Sequence, residues 1–534
     1  MNKTNFECSM RRMRTLGFVC LLVPVALFLS ACAVNPVTGE NELSLISKDR
    51  ELEIGEESYG PLRQSSGGDY VADKALAVYV KKVGKKLAKV SDRKLPYEFK
   101  VVNNTAINAW ALPGGKIAIN RGLLLELDNE AELAAVLGHE IVHAAARHGA
   151  SALTRGTLIN LAAIATTAAV AQSDYSAQAD MIGQSVAIGG SLINFKYGRD
   201  AERESDHYGM IYMKRAGYDP RGAVGLQKKF VALSKSRDKG GWLDALISSH
   251  PPSEERVKNN RKQARKLGRG GETGTDRYQQ ATAHLRSVQP AYDAYEKGRK
   301  AFAAGKLGSA ESKARKAIDI EPNENQFHLL LGDILAKSGK NKAALQSYDE
   351  AARILPNYYA VYEKRAQLKK KMKDERGYRE DMERAAKILP TAASYLALGQ
   401  LSEKDGNSQS ALEYYHAAAA ANSASGKTAS REFSRLDRLH NPQDYLNGSV
   451  SVDKHKRLTV TVNNPLRQAV KNIKFTIEYG DKYFPKVAGD FNYSGIISAS
   501  DSVTLVTKLG PITKKQFKKN RYRVKFIQAR TVSE

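Results

Sequence analysis

Cysteine is almost absent from this chain of 534 residues, and its position is as informative as its scarcity. The three cysteines, Cys8, Cys20 and Cys32, all lie within the first 32 residues. The long remainder therefore has no disulfide framework and no thiolate ligands for a metal ion. Histidine is also scarce, with ten residues in all. A regularly spaced group of histidines is therefore a feature that needs an explanation.

Acidic residues are outnumbered by basic ones, 57 against 83, which gives a formal net charge of +26. Such a charge favours an anionic neighbour, such as a membrane surface or another polyanionic envelope component. Aromatic residues are not interleaved with the basic ones in the way that a nucleic-acid groove requires, so we expect no nucleic-acid partner. The length predicts two to four domains.

Long apolar runs are few, and the first of them belongs to a targeting segment. Arg11, Arg12 and Arg14 precede an apolar stretch at residues 16–29, which ends in Leu-Ser-Ala-Cys at Cys32. This pattern is typical of a signal peptide and resembles the bacterial lipobox, in which the cysteine is acylated after cleavage. An ordinary signal peptide or an anchor helix is the alternative.

The lipobox interpretation assigns residues 1–31 to a lipoprotein signal peptide, Cys32 to lipid attachment, and residues 32–44 to a tether. Ala33 follows the cysteine where an aspartate would indicate retention in the inner membrane. We therefore expect the outer membrane of a bacterial envelope, facing the periplasm. A second apolar run, at residues 158–171, is too short to span a membrane and is expected to form a buried helix.

The stretch from Glu132 to His148 contains the pattern H-E-x-x-H at His139, Glu140 and His143. Its Ala- and Leu-rich flanks favour a helix, on which residues four apart share one face. Two imidazoles at this spacing suit Zn²⁺, and the adjacent glutamate can serve as a general base. The alternative is a chance pattern on a helix.

A hydrolytic zinc site needs a third protein ligand from another element. Glu202 and Asp206 are four residues apart in a second helical stretch and would share one face. Glu202 is the predicted ligand, and Asp206 is predicted to accept a hydrogen bond from a ligating imidazole. Glu204 would point away from the metal. The alternative is an ordinary solvated helix.

These motifs together resemble the zinc metallopeptidases of the HtpX and BepA type, relatives of the CAAX prenyl proteases. The resemblance rests on HEIVHAAARHG, on E-R-E-S-D and on NAWALPGG upstream, over residues 33–265. It implies a gluzincin-type α+β peptidase domain at residues 45–265, with one Zn²⁺ held by His139, His143 and Glu202, and with Glu140 as the base.

The same resemblance implies two further roles near the end of that domain. His250, in an H-P-x-x-x-x-R element, is expected to occupy the fourth zinc position and to keep the enzyme latent, or else simply to cap a turn. Arg256 is expected to orient this region or to stabilise charge on the substrate. The strand predicted at Lys116–Asn120 is the candidate for pairing with substrate backbone, with a purely structural hairpin as the alternative. The stretch before it, residues 108–115, reads as a tight turn that joins strands.

A 34-residue period follows a basic linker that is predicted at residues 266–287. Pro322, Pro356 and Pro390 mark the period, and small residues recur at fixed distances before them. This is the tetratricopeptide pattern, which predicts an α-solenoid at residues 288–435. A solenoid of this kind is expected to bind protein substrates or an assembly-machinery partner, with a spacer or lid as the alternative.

The last segment, residues 445–534, alternates apolar and polar residues between turn signals, which predicts a small β-sandwich of five to seven strands. The sequence therefore predicts a mainly α, multidomain protein. Its expected activity is that of a membrane-tethered zinc endopeptidase acting on misfolded or unassembled envelope proteins. The alternative is a chaperone or assembly adaptor for outer-membrane proteins with a latent zinc site.

Overall fold

The computed structural model describes residues 32–155, 197–235, 244–481 and 485–532. The predicted signal peptide and the apolar run at residues 158–171 lie outside these ranges. The chain divides into two compact units, with the boundary after Leu389. The described residues are mostly helical with a few small sheets, as the sequence predicts.

The first unit begins with a hairpin rather than with a loose tether. Strands β1 (Cys32–Val34) and β2 (Asn41–Leu43) pair antiparallel, with Cys32 opposite Leu43. The segment that follows is fastened to the body of the domain, because the backbone of Leu45 donates to Thr154 and Arg147 donates to the carbonyl of Ile46. The structure therefore differs from the expected tether at residues 32–44.

Two helices and a three-stranded sheet come next. Helices α1 (Lys48–Ser65) and α2 (Lys74–Ala88) are capped by Ser47 and Asp73, whose side chains accept backbone hydrogen bonds. The sheet contains β3 (Glu98–Val102), β4 (Ala109–Leu112) and β5 (Lys116–Asn120) in the order β3-β5-β4.

Strand β5 is the central strand, paired parallel with β3 and antiparallel with β4. Its backbone groups are therefore used on both sides, and the prediction that Lys116–Asn120 pairs with substrate is wrong. The predicted turn at residues 108–115 instead holds edge strand β4, and only Pro113–Gly115 forms the turn.

Six further helices complete the peptidase-like part of the first unit. They are α3 (Arg121–Glu126), α4 (Glu130–Ala145), α5 (Arg199–Arg215), α6 (Arg221–Lys235), α7 (Asp244–Ser249) and α8 (Glu254–Leu267). Helix α4 packs against α2, α5, α6 and β4. It is therefore the central helix of this part.

The region predicted as a basic linker, residues 266–287, is largely structured. It contains helix α9 (Thr275–Ser287), whose Tyr278, Thr282 and Leu285 are buried. The hydroxyl of Tyr278 donates to the carbonyl of Leu124. The charged and glycine-rich composition concealed this helix, because only one narrow face of it is apolar.

Six helices of the first unit form three helical hairpins with the predicted period. They are α10 (Gln289–Ala303), α11 (Leu307–Ile320), α12 (Asn325–Lys337), α13 (Asn341–Ile354), α14 (Tyr359–Lys371) and α15 (Glu375–Ile388). Each proline of the period lies two residues after the second helix of a pair. A Cβ on Gly332 would approach the Tyr348 ring to 2.4 Å, which explains the small residue at that position.

The first two repeats contact the peptidase-like part through buried polar groups. Glu324 accepts hydrogen bonds from Asn103 (2.6 Å) and from the hydroxyl of Tyr292 (2.8 Å). The guanidinium of Arg121 lies 3.4 Å from the centre of the Tyr292 ring. Because buried polar groups need their partners, this network fixes the repeats against the domain.

The described part of the second unit begins with three helices, α16 (Ala392–Lys404), α17 (Ser408–Ala419) and α18 (Ala424–His440). Two three-stranded antiparallel sheets follow, built from β6 (Asn447–Val452), β7 (Leu458–Asn463), β8 (Val470–Gly480), β9 (Pro485–Ile497), β10 (Ser502–Val506) and β11 (Arg523–Thr531). Their orders are β10-β7-β6 and β11-β8-β9, and they share one apolar cluster. A short basic helix, α19 (Lys514–Asn520), precedes β11.

None of the helices that the structure describes is both long enough and apolar enough to span a lipid bilayer.

Candidate metal site

Helix α4 carries its H-E-x-x-H pattern inside the protein. The side chain of Asn129 accepts from the backbone N–H of Glu132 and caps the helix, and Glu130 and Glu132 lie in the first turn, where acidic residues are favourable. Every residue of α4 is buried. The apolar flanks that predicted a helix therefore also place His139, Glu140 and His143 away from bulk water.

Four side chains of metal-ligand type meet at this point. One potential ligand atom each from His139, His143, Glu202 and His250 lies within 4.8 Å of all the others. The Nε2 atoms of the first two are 3.0 Å apart, and Oε1 of Glu202 lies 3.3 Å from Nε2 of His143. The predicted third ligand on α5 is thus brought to the two histidines of α4, together with His250.

His250 reaches the cluster from the turn between α7 and α8. Its Nδ1 is 2.9 Å from Oε1 of Glu202 and 3.4 Å from Nε2 of His139. Its backbone N–H donates to the carbonyl of Leu246 in α7. This side chain is 6% exposed, so it is a member of the buried cluster and not a surface cap.

Asp206 lies one helical turn after Glu202 and contacts His139 at Nδ1, the ring nitrogen that does not face the cluster. Nδ1–H of His139 donates to Oδ1 of Asp206 at 3.0 Å, which leaves Nε2 facing the cluster. Burial alone would raise the pKa of Asp206, but the guanidinium of Arg256 and the hydrogen bond from His139 hold that pKa below its ordinary value. An ionised carboxylate in this position fixes the tautomer that a ligating imidazole needs.

Arg256 contacts the two carboxylates of α5, those of Asp206 and Glu202. Its Nε and one terminal nitrogen donate to Asp206, at 2.8 and 2.7 Å. The other terminal nitrogen lies 2.7 Å from Oε2 of Glu202 and donates to the carbonyl of Pro251. In this arrangement the guanidinium orients the carboxylates of the cluster, which was the first of the two roles expected for it.

Glu140 faces the cluster without joining it. Its Oε1 is 3.6 Å from Nε2 of His250, whereas its buried Oε2 has no hydrogen-bond partner among the described residues. Burial raises the pKa of this carboxyl. Burial also lowers the pKa of His143 well below its ordinary value, so that imidazole is neutral, as a metal ligand must be.

The donor set fits a zinc ion. Imidazole nitrogens and one carboxylate oxygen converge from three elements, and a carboxylate with an unsatisfied buried oxygen stands next to them. His139, His143 and Glu202 would hold the ion, with His250 as a fourth ligand.

Three residues next to the site have contacts that the sequence did not predict. His148 lies with its Nδ1 2.9 Å from Nδ1 of His143, and the Tyr197 ring stacks on His143 with centroids 4.0 Å apart. Glu204, which was expected to point away, lies 3.5 Å from His148 and accepts from Asn35. The only sequence signal was a further histidine shortly after the motif.

A cavity of about 40 Å³ adjoins the cluster. Such a volume holds a few water molecules and does not hold a peptide. Its lining includes Ala109, Glu140, Met213, Phe230 and Leu246. The described residues therefore leave room for water beside Glu140.

Comparison with known protein families gives two matches. Peptidase family M48 matches residues 74–264, and the tetratricopeptide repeat matches residues 295–359. The first match contains the four cluster residues, Glu140, Asp206 and Arg256. The second begins in α10, where the 34-residue period begins.

Curated relatives align with the peptidase-like part. A putative beta-barrel assembly-enhancing protease of Vibrio cholerae is 28% identical over 260 residues, which cover 47% of this chain and 52% of that protein. Mitochondrial metalloendopeptidase OMA1 of Arabidopsis thaliana is 30% identical over 213 residues, covering 40% and 41%. The chain thus spans about half the length of these relatives.

Metalloprotease YcaL of Escherichia coli is covered more completely. It is 31% identical over 204 residues, which cover 37% of this chain and 74% of that protein. With the family match over residues 74–264 and the cluster of His139, His143 and Glu202, this similarity shows that the chain belongs to peptidase family M48.

Proposed function

We propose that this protein is a zinc-dependent metalloendopeptidase of the bacterial envelope. The observation that carries the proposal is the buried group of His139, His143 and Glu202 with the carboxylate of Glu140 beside it. A purely structural zinc site has no use for an adjacent base. The names of the relatives, which include proteases and metalloendopeptidases, support the same activity.

Zinc in this site would supply Lewis acidity, polarising a peptide carbonyl and lowering the pKa of a water molecule. The chain's own residues then move the protons. Oε2 of Glu140 has no hydrogen-bond partner among the described residues, and this side chain lines the cavity that has room for water, so Glu140 accepts the proton of the attacking water. Because its pKa is raised by burial, the protonated carboxyl can deliver that proton to the leaving amine.

Edge strand β4 is the candidate for holding the substrate once the site opens, because its four residues are buried in the present arrangement. It is paired only with β5 in the described sheet, and Ala109 at its start lines the cavity beside His139 and Glu140. An extended segment that adds to this edge would be bound through its main chain, which leaves the choice of sequence loose. Such binding suits clients that are misfolded or unassembled.

His250 supports a latent resting state. With its Nδ1 at 2.9 Å from Glu202, it would occupy the position that an active zinc site keeps open for water and substrate. Cleavage then requires the turn before α8 to move. This turn is held by the contact of Arg256 with the Pro251 carbonyl and by Ser253, which caps α8.

A single comparison tests the activity and the latch. Full-length protein is loaded with zinc and incubated with casein as an unfolded substrate. We expect slow cleavage by the wild type, loss of about 10²- to 10⁴-fold in Glu140→Gln, and faster cleavage in His250→Ala. Glu53→Gln, an exposed glutamate of α1, is the matched control. Equal cleavage by wild type and Glu140→Gln would exclude the proposed peptidase activity. A His250→Ala variant that cleaves no faster than wild type would exclude the proposed inhibition by His250.

The proposed location is the outer membrane, with a lipid on Cys32 and the body in the periplasm. The basic n-region, the apolar run at residues 16–29 and the cysteine that follows it support this assignment. Mass spectrometry of the mature N-terminus is expected to find an acylated Cys32. Membrane fractionation that finds the wild type with the membrane and the Cys32→Ser variant in the soluble fraction would support this location.

The second candidate function is that of a chaperone or assembly adaptor whose zinc site stays closed. It is favoured by a cavity of about 480 Å³ between the repeats and the peptidase-like part. The lining combines apolar and charged groups, among them Tyr295, Arg299, Leu330, Asp333, Tyr358 and Lys364. Protection of an unfolded outer-membrane protein from aggregation by Glu140→Gln, at wild-type strength, is the outcome that this function requires.

A further inference from the structure

The two predicted ligand histidines of α4, His139 and His143, have different partners at their Nδ1 atoms. His139 donates directly to a carboxylate, that of Asp206. Nδ1 of His143 has no carboxylate partner in the part of the chain that the structure describes, and it instead lies 2.9 Å from Nδ1 of His148. Since Nε2 of His143 faces the cluster, its Nδ1 carries the proton and donates it to His148.

The environment of His148 fixes its own tautomer. Because Nδ1 of His148 is the acceptor for His143, the N–H of this ring is on Nε2. That nitrogen faces Oε1 of Glu204 at 3.5 Å. The side chain is 5% exposed, and the hydroxyl of Ser205 lies 3.5 Å from its Nδ1. His148 therefore connects a ligand histidine on one side with a carboxylate on the other.

The same carboxylate oxygen is held by the N-terminal hairpin. Nδ2 of Asn35 donates to Oε1 of Glu204 at 3.0 Å and to Oε1 of Glu42 at 2.9 Å. Asn35 is 1% exposed, and its Oδ1 accepts from the backbone of Val37 and Thr38, which fixes the turn of the hairpin. Every polar atom of this amide is thus used.

The hairpin is also tied to the chain just beyond α4. Oε2 of Glu42 accepts from the hydroxyl of Ser151 at 2.9 Å, three residues after His148. The hairpin therefore contacts both sides of the pair formed by His148 and Glu204. It binds Glu204 on α5 through Asn35, and it binds the segment after His148 through Glu42.

We infer that His148, Glu204 and Asn35 form a positioning relay that orients the imidazole of His143 toward the metal. A hydrogen-bonded carboxylate behind a ligating imidazole fixes the ring and raises its basicity, and here that effect passes through a second imidazole. None of the three residues touches substrate or the reacting atoms, so they are positioning residues. The inference rests on the proposed metal site and is independent of lipidation at Cys32.

The relay gives the hairpin a role beyond joining the chain to its N-terminus. Asn35 is three residues from Cys32, so the segment that would be closest to a membrane anchor is also part of the support of His143. Displacement of this hairpin removes a donor from Glu204 and loosens His148.

The first test compares two His→Phe variants in the full-length protein. His148→Phe removes the relay, and His207→Phe changes an exposed histidine of α5. Zinc affinity is measured by competition with a chromogenic chelator, and the visible spectrum of the cobalt-substituted protein reports ligand geometry. We expect affinity to fall about 10- to 100-fold and the spectrum to change only in His148→Phe.

A third variant separates positioning from folding. In His148→Asn, the amide oxygen can take the place of Nδ1 as acceptor, so we expect most of the zinc affinity to return. A His148→Phe protein with wild-type affinity and spectrum overturns the relay. A wild type that binds no zinc overturns the proposed function as well, so the two failures are distinguishable.

The second test asks whether the distant residues act through the same path. Asn35→Ala, Glu204→Ala and the double variant are compared, with Thr38→Ala as a control in the same turn. In a relay, loss of Asn35 adds little once Glu204 is gone, so the double variant should bind zinc as Glu204→Ala does. If the fold losses of zinc affinity in Asn35→Ala and Glu204→Ala multiply in the double variant, the two residues act independently and the inference is wrong.

Discussion

Gly138 and Gly209 face each other where helices α4 and α5 cross. A Cβ built on Gly138 would lie 3.1 Å from the carbonyl oxygen of Gly209, and one built on Gly209 would lie 3.1 Å from the backbone nitrogen of His139. The two helices therefore approach within backbone contact just beside the first ligand. This approach brings Glu202 and Asp206 of α5 within reach of the histidines of α4.

Because the helices are in backbone contact at this crossing, we expect Gly209→Ala to weaken zinc binding. Alanine favours a helix over glycine by about 1 kcal/mol, so the fold should not be weakened by the local preference. The neighbouring atoms are backbone, which must move by a few tenths of an ångström and carry His139 away from Glu202. We expect zinc affinity, measured by chelator competition, to fall about tenfold.

Gly308→Ala provides the matched control for this substitution. Gly308 lies in helix α11, and a Cβ there meets no atom within 4 Å. It should leave zinc affinity unchanged. Wild-type affinity in Gly209→Ala would mean that the helices can separate without disturbing the ligands.

Arg256→Lys should weaken the site although it keeps the positive charge. Lysine cannot reproduce the paired bonds to the two oxygens of Asp206 or the simultaneous contact with Glu202. We expect zinc affinity to fall about tenfold, with Arg203→Lys, an exposed arginine of α5, unchanged. If Arg256 instead acted only on substrate, KM would rise and zinc affinity would stay the same.

Much of this site could be predicted from the sequence because its residues follow helical spacing. His139, His143, Glu202 and Asp206 each pair with a residue four positions away, and a zinc site requires a fixed set of donors. The tetratricopeptide repeats could be predicted for a similar reason, since a period of 34 residues is visible without knowledge of any contact.

Long-range pairing explains what could not be predicted. Strand β5 lies in the centre of its sheet because it pairs with both β3 and β4. The second pairing was not predicted because β4 lies in a stretch that reads as a turn. Strand β9 has a weak sequence signal, because most of its residues are exposed or only partly buried. The contact of Asn35 with Glu204 joins residues 169 positions apart, and no local pattern indicates it.

Removal of zinc should destabilise only one of the two compact units. All cluster residues belong to the unit that ends at Leu389. A ligand present at 1,000 times its dissociation constant stabilises the folded state by about 4 kcal/mol. In differential scanning calorimetry, we expect a chelator to lower the transition of this unit and to leave that of residues 390–534 unchanged. A shift of both transitions would contradict this assignment.

Glu324 should make the stability of the first unit depend on pH. Burial raises the pKa of this carboxyl, although hydrogen bonds from Gln326 and Tyr292 and the charge of Arg121 oppose the rise. The folded state therefore holds the proton more tightly than the unfolded state does. Its stabilising contribution is complete below the unfolded pKa and is lost as the pH rises through the folded pKa.

The variant Glu324→Gln removes this dependence because the amide does not titrate, while its oxygen can still accept from Asn103. The free energy of unfolding of the first unit, from urea titrations at pH 4 and pH 8, should therefore fall less with rising pH in the variant. The difference amounts to about 1.4 kcal/mol for each unit by which the pKa is raised. Glu380→Gln, an exposed position of the same repeats, should follow the wild type. Parallel pH profiles for Glu324→Gln and wild type would mean that Glu324 carries the same charge in the folded and unfolded states, and that its buried contacts stabilise the repeats independently of pH.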